Sequence, residues 1–428
     1  MSDSDCVKTD TNENCGSNPF CAFFLTKKKR NCKMRVKLGA NYCAEHLTTS
    51  EHAESEDKRV PCPLDPAHSV YESRLKAHLK KCNARIPEIL PNYFSKNMNI
   101  TVDALVNTEN SSDDNSDVKW NKPTVSKLVE RIFKVSEAVL ADHPIYQRRL
   151  QQEKTGISES EKHRLQQDAL SQLILAKTAG YEKVVVLEFG AGKGGLSNFL
   201  WESHFSKKDS TGIKSEFILI DRSNSRCKKD AKMRHEGAKV KRIFIDIKDL
   251  NLESLLTEYD KERTYFLWVS KHLCGAATCL TINSLINMKA KVKGTFCVAL
   301  CCHQCCSWQA YPNKIFLKES GLIKEAEDEE KVFKMMCSIT SWAVCGFRSD
   351  YESEDESVKR VKLADILDEN ELYSDEKKEK AGRLMKRLFD HGRELKLKES
   401  LVCELKHYIE EEVTLENAVL IGHTENLK

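Results

Sequence analysis

The stretch Val184–Ser197, VVVLEFGAGKGGLS, restricts what this 428-residue chain can fold into more than any other. Four apolar residues, Val184 to Leu187, predict a parallel strand buried on both faces. Glu188 and Phe189 close it, and Gly190, Gly192, Gly194 and Gly195 form a tight loop before a helical pattern opens at Leu196. A strand, a glycine loop and a helix N-terminus make a nucleotide-cofactor pocket, because glycines let the backbone approach a ligand and the helix start offers free N–H groups. Gly190-x-Gly192-x-x-Gly195 also satisfies the dinucleotide fingerprint, which leaves a dehydrogenase as a distant alternative. Glu188 departs from that reading, since dinucleotide folds keep this strand end apolar.

The form h-h-E-h-G-x-G-x-G resembles motif I of the S-adenosylmethionine (SAM) methyltransferases. That resemblance implies SAM as cofactor, its positive methionine end held by Glu188. The chain then alternates strand and helix as a doubly wound fold requires. Glu216–Asp221, EFILID, is the second strand, and the acid ending it is expected to bind ribose hydroxyls. Asp221 lies farther past the glycines than the usual 20 or so residues because of the polar insertion Ser206–Ser215. Lys241–Asp246 is the third strand, with Asp246 placed for an adenine amine; Thr264–Ser270 is the fourth, and Lys291–Leu300 holds the fifth. Chemistry in such sheets lies outside the carboxyl ends of the strands, which selects Lys271, His272 and His303 as candidate catalytic or substrate-contacting groups. Lys271 and His303 are alternative bases, and His272 is either catalytic or a pocket wall.

Helices are expected over Trp120–Leu150, Lys162–Ala176 and Ala381–Glu412, a strand or strand edge at Ser341–Gly346, and a closing strand at Asn417–Gly422. On the second helix, Lys162, His163, Gln166 and Gln167 either reach substrate or cap the sheet. Residues 1–18 read as a disordered tail, 99–118 as a linker, 119–428 as the cofactor domain and 348–380 as a charged insertion in it.

Two metal patterns precede that domain. Cys21, Cys32, Cys43 and His46, within residues 19–50, supply three thiolates and an imidazole for a closed tetrahedral zinc site. Cys62, His68, His78 and Cys82, within 58–86, supply a second set, with His78 and Cys82 one turn apart on a short helix expected over Ser69–Lys81. Segments this short bury too little to fold without a staple. The order C-H-H-C resembles the CHHC finger of some RNA-associated proteins. Lys27, Lys28, Lys29, Arg30, Lys33, Arg35 and Lys37 surround the first set, and Arg74, Lys76, Lys80, Lys81 and Arg85 the second, a local excess suited to phosphate. Phe23, Phe24 and Tyr42 are expected to form the first finger's miniature core.

Net charge is only +3, so any nucleic-acid footprint is local. There is no run of 18 apolar residues and no apolar leader, so a reducing intracellular compartment, cytoplasm or nucleus, is expected. The 18 cysteines are then thiols or metal ligands. Cys301, Cys302, Cys305 and Cys306 read first as buried or pocket thiols, because adjacent pairs make poor tetrahedral clasps.

The order of parts resembles one family: a C-x10-C-x10-C-x2-H finger, a CHHC finger, then LEFGAGKGGLS, SKHLCGAAT, ALCCH and TSWAVCG. It is the eukaryotic tRNA ribose 2′-O-methyltransferase family that modifies the fourth nucleotide of the acceptor stem. The resemblance implies a Rossmann-like α/β methyltransferase domain behind two small zinc fingers. It also implies SAM as donor and cytidine or adenosine of certain tRNA acceptor stems as target, with no membrane and no DNA. Cys279, Gln304 and Cys305 depart from the family pattern, so they carry no predicted role. The alternative is a non-catalytic RNA-binding adaptor on a relict methyltransferase fold.

Overall fold

The computed structural model describes residues 20–25, 30–32, 34, 36, 41–43, 59–82, 85, 90–101, 122–143, 158–176, 178, 181–206, 213–223, 229–343 and 374–424. The chain divides into two compact units, the first ending at Glu88 and the second starting at Ile89.

The larger unit is a seven-stranded sheet covered on both faces. Its strands are β1 (Lys183–Phe189), β2 (Lys214–Asp221), β3 (Lys239–Phe244), β4 (Thr264–Ser270), β5 (Gly294–Ala299), β6 (Val402–His407) and β7 (Ala418–His423), in the spatial order β6-β7-β5-β4-β1-β2-β3. Strands β1 to β5 pair in parallel, and β7 runs antiparallel to both β5 and β6. The order reverses between β1 and β4, so the ligand crevice falls at their carboxyl ends. Continuous apolar runs become central strands: every residue of β4 and β5 is buried, while the edge strand β3 alternates exposed Lys239 and Lys241 with partly or fully buried residues.

The helices include α1 (Lys122–Leu140), α2 (Glu159–Leu175), α3 (Gly195–Leu200), α4 (Ala276–Ile286), α5 (Glu329–Thr340) and α6 (Asp375–Lys398), besides short ones at Asp230–His235, Leu252–Leu255 and Lys314–Glu319. Alternate residues of β1 divide between two cores. Val185, Leu187 and Phe189 face α1, α4, α5 and α6, whereas Val184 and Val186 face Leu170 and Ile174 of α2 and Leu196 and Leu200 of α3. Each of these buried apolar side chains contributes roughly 1.5–3 kcal/mol of transfer free energy.

Four expectations change. The cofactor domain does not begin at 119: Tyr93, Phe94 and Ile100 pack on the main core, and buried Asn99 donates through Nδ2 to the carbonyls of Ile247 (2.7 Å) and Leu250 (2.8 Å). Ala381–Glu412 is only half helix, since the chain turns after Lys398 and runs as the edge strand β6, where β7 supplies hydrogen bonds. Ser341–Ala343 is a 3-10 turn continuing α5, whose Val332, Phe333, Met336 and Ile339 recur at helical spacing; Gly346 lies outside the described residues. In Ser69–Lys81, Ser69–Tyr71 completes a hairpin, a 3-10 turn covers Glu72–Arg74, and only Leu75–Leu79 is α-helical. The tail, most of the linker and most of the charged insertion also lie outside the described residues. Among those described, no helix is long and apolar enough to cross a membrane.

Candidate active site and zinc centres

The glycine loop leaves β1 with Gly190, Gly192 and Gly194 at φ of +61°, +49° and +76°. Glu188 beneath it is 3% exposed, and its Oε2 accepts from the Ser197 N–H (2.9 Å), which satisfies a free donor at the start of α3. Burial raises the Glu188 carboxyl. Asp221 braces the loop's outer turn: Oδ2 accepts from the Gly192 N–H (2.7 Å), and Oδ1 from the backbone and hydroxyl of Ser223 (2.7 Å each). Asp246 sits just past β3, where Oδ1 caps the Lys248 N–H at 3.0 Å and Oδ2 lies 3.9 Å from Arg222.

A second brace was not legible in the sequence. Arg242 of β3 donates to both Asp230 oxygens (2.6 and 2.7 Å) and, through Nη1, to the Gly192 carbonyl (3.0 Å). Burial opposes ionisation of Asp230, yet Arg242 holds its carboxyl below the ordinary range. Their separation in sequence from the glycines hides this link.

Two further loops lie against the first. A Cβ on Gly190 would meet Leu273 Cδ1 at 2.4 Å, so the loop after β4 packs directly on the glycine loop. A Cβ on Gly275 (φ +66°) would meet the Cys305 carbonyl at 2.4 Å, so the loop after β5 packs on the loop after β4. Lys271, at the head of the middle loop, puts Nζ 3.2 Å from His163 Nδ1 and 3.4 Å from the His163 carbonyl. Burial pushes the Lys271 ammonium down to about 8, with the Glu188 charge opposing. The His163 and His272 rings meet edge to face at 5.3 Å, and desolvation followed by the Lys271 charge lowers His272. This contact brings His163 of α2 beside Lys271 and His272.

His303 is not at the site's surface. It is 1% exposed, and Nε2 lies 2.6 Å from Asp390 Oδ1 on α6. Asp390 also accepts from Arg393 (2.8 Å) and lies 3.4 Å from Arg387. Burial would raise the Asp390 carboxyl, but His303, Arg393 and Arg387 hold it well below the usual range. With Asp390 offset by two guanidinium groups, burial lowers His303 toward its neutral form: Nε2–H donates to Asp390, and Nδ1 has no hydrogen-bond partner among the described residues. The expected base role for His303 is therefore withdrawn, because the loop turns the imidazole inward. Cys279 and Cys306 belong to the same buried knot, with Sγ atoms 3.4 and 2.9 Å from Arg393 Nη2.

These groups fit SAM. The space over Gly192 is open, with no atom but the Gly190 carbonyl within 4.0 Å of a built Cβ. Buried Ser270 Oγ at the end of β4 and Asn198 Oδ1 in α3 have no hydrogen-bond partner in the described structure.

The smaller unit holds two thiol-centred modules. Cys21, Cys32 and Cys43 are buried with converging sulfurs, and Phe23, Val36 and Tyr42 pack around them. Phe24 is 50% exposed and is not part of that core, because it lies on the outer face of a two-residue ladder with Asn31. In the second module the hairpin Arg59–Cys62 and Asp65–Tyr71 carries Cys62, and the following turns bring His78 Nε2 to 3.2 Å and Cys82 Sγ to 3.7 Å from Cys62 Sγ. His46, the side chains of His68 and Arg30, and Lys27, Lys28, Lys29, Lys33, Arg35 and Lys37 lie outside the described residues. Arg74, Lys76, Lys80, Lys81 and Arg85 are exposed. Buried, converging thiols at the centre of each module fit a structural zinc ion there.

Comparison with known proteins agrees with both halves. Residues 19–47 match a family described as the CCCH zinc finger in TRM13 protein, and residues 59–83 match the U11-48K-like CHHC zinc finger. Residues 165–423 match the family described as Methyltransferase TRM13, which sets the dehydrogenase reading aside. The protein named tRNA:m(4)X modification enzyme TRM13 in Vanderwaltozyma polyspora is 32% identical, over 94% of this chain and 97% of its own length. Its namesake in Scheffersomyces stipitis is 32% identical, over 92% of this chain and 98% of its own. The Homo sapiens homolog of that name is 28% identical, over 94% and 93%. Two fingers, a glycine loop at the switch point of a mixed seven-stranded sheet and a family match across that sheet make this chain a member of the TRM13 methyltransferase family.

Proposed function

We propose that this chain methylates the ribose 2′ oxygen of the fourth acceptor-stem nucleotide, a cytidine or adenosine, in certain tRNAs, with Lys271 as general base. The relatives' name, tRNA:m(4)X modification enzyme, supports the substrate and position. The observation that carries the chemistry is Lys271 itself, at the carboxyl end of β4, touching His163 and lowered to about 8 by burial.

When bound, SAM supplies an electrophilic methyl on a sulfonium. Gly190, Gly192 and Gly194 admit it with Glu188, Asp221 and Asp246 around it. A hydroxyl is a poor nucleophile until its proton is taken. Lys271, neutral in an appreciable fraction near pH 8, accepts that proton at Nζ. His163 orients Nζ from α2, and His272 walls the entrance. A positioned base contributes about 10²–10⁴-fold, and alignment of the reacting atoms about 7–11 kcal/mol. The finger unit, with its exposed Arg74, Lys76, Lys80 and Lys81, grips the acceptor stem and selects the ribose.

The test is labelled methyl transfer from SAM to unmodified tRNA transcripts, with the product mapped by mass spectrometry across pH 6–10. A ribose methyl at the fourth nucleotide is expected, with kcat rising to a plateau through about pH 8 as the neutral amine forms. Lys271→Met lowers kcat by about 10²–10⁴-fold and leaves SAM affinity near wild type. A methyl elsewhere removes the target. Full activity of Lys271→Met removes the base, and SAM and tRNA binding without transfer favours the adaptor.

A further inference from the structure

Three thiols from two loops of the larger unit meet at the carboxyl edge of its sheet. Cys274 follows β4, and Cys301 and Cys302 follow β5. Their sulfurs all lie within 4.8 Å of one another, and the ligand atoms of Cys21, Cys32 and Cys43, and of Cys62, His78 and Cys82, also converge within that distance. Cys274 and Cys302 approach to 3.2 Å, against 3.9 Å for Cys32 and Cys43 and 3.7 Å for Cys62 and Cys82.

Neighbouring residues of an extended chain point to opposite sides, which is why Cys301–Cys302 is a poor clasp by sequence. The backbone removes that obstacle. Cys302 has φ 50° and ψ 44°, a left-handed conformation that turns its thiol toward the side of Cys301. Such a conformation costs a non-glycine residue about 1–3 kcal/mol and persists only where something else holds it. Of three non-glycine residues at positive φ among those described, two, His272 and Cys302, lie in the loops that carry the trio.

We infer that Cys274, Cys301 and Cys302 bind a third zinc ion, with the fourth position open to solvent beside exposed Cys274. As each Zn–S bond forms, the thiol proton passes to solvent; three thiolates and Zn²⁺ leave a site of charge −1. No fourth Cys, His, Asp or Glu of the described residues joins the group, so this is a three-ligand site of the kind that keeps an exchangeable position. The ion ties the loop bearing Lys271 and His272 to the loop after β5, and holds the strained Cys302 in place.

The full-length chain, kept reduced, is titrated with Zn(II), freed of excess by gel filtration and analysed for metal. About three zinc ions per chain are expected, and about two in Cys274→Ser and in Cys302→Ser, with cooperative melting retained. Alkylation of the wild-type protein avoids dependence on the variants: Cys274, though exposed, is protected from iodoacetamide at least about tenfold until a chelator is added. Two zinc ions in the wild type, three in both variants, or Cys274 alkylated equally with and without chelator each overturn the site. A Cys274–Cys302 disulfide in place of the third ion does so as well.

Discussion

Individual side chains here are placed by charge balance more than by position in the sequence. Asp390 sits fully buried between His303, Arg393 and Arg387. Replacing it by Asn leaves the buried Arg393 cation short of its partner, and the unfolding free energy should fall by about 3–5 kcal/mol in a denaturant titration. Glu394 offers a pH signature. Burial opposes its charge, but His391, Lys398 and His143 hold its carboxyl down to about 2, against 4.5 for a free side chain. Because the folded value is the lower one, its stabilisation is complete above about pH 4.5 and is lost as pH falls toward 2. Glu394→Gln should therefore be less stable at neutral pH by about 1–3 kcal/mol and lose less between pH 4.5 and 2, measured by thermal melts across that range. His303 shows where residue-level reading from sequence stops. The rule about strand ends found the loop after β5, but only the partner on α6, 87 residues away, decided which way the imidazole points.

At the level of elements, three loops stacked edge to edge make the site, and two contacts set their spacing. Gly275 admits no side chain: at φ +66° its Cβ would press on the Cys305 carbonyl. Gly275→Ala should part the loops after β4 and β5, lowering the melting temperature and weakening SAM binding at least about tenfold by calorimetry, or roughly 1.4 kcal/mol. Arg242 supports the glycine loop from beneath through the Gly192 carbonyl. Arg242→Gln should weaken SAM by about 0.5–1.5 kcal/mol, while methyl transfer at saturating SAM is retained. The glycine loop was legible because a strand, four glycines and a helix start are contiguous. The Arg242–Asp230 brace was not, because its members belong to β3 and the helical turn before it and meet Gly192 only through pairing of β2 with β3. The sequence also read α2 as a bearer of polar groups; that one of them, His163, meets Lys271 across 108 residues appears only in the structure.

For the molecule as a whole, two compact units suggest a division of labour: metal-stapled fingers for RNA, a doubly wound sheet for SAM. A truncation that tests it must end before residue 90, because Tyr93, Phe94 and Asn99 are stitched into the sheet unit. Removal of residues 1–88 should weaken tRNA binding at least about tenfold and leave the SAM affinity within about twofold, both by calorimetry. Equal losses would show that the units do not divide the work. What the sequence determined by itself is whatever depends on near neighbours along the chain: the strand–glycine–helix unit, the spacing of thiols and imidazoles in the fingers, the apolar runs of the central strands and the acids that end them. These obey local sterics, ligand geometry and periodicity. What only the tertiary structure decided is which distant groups share a buried space. Asp390 claims His303, Arg242 reaches the glycine loop, and a left-handed Cys302 meets Cys274. Each depends on groups far apart in the chain meeting in the folded state, the first two because buried charges need partners, and that need carries no signature in the linear order of residues.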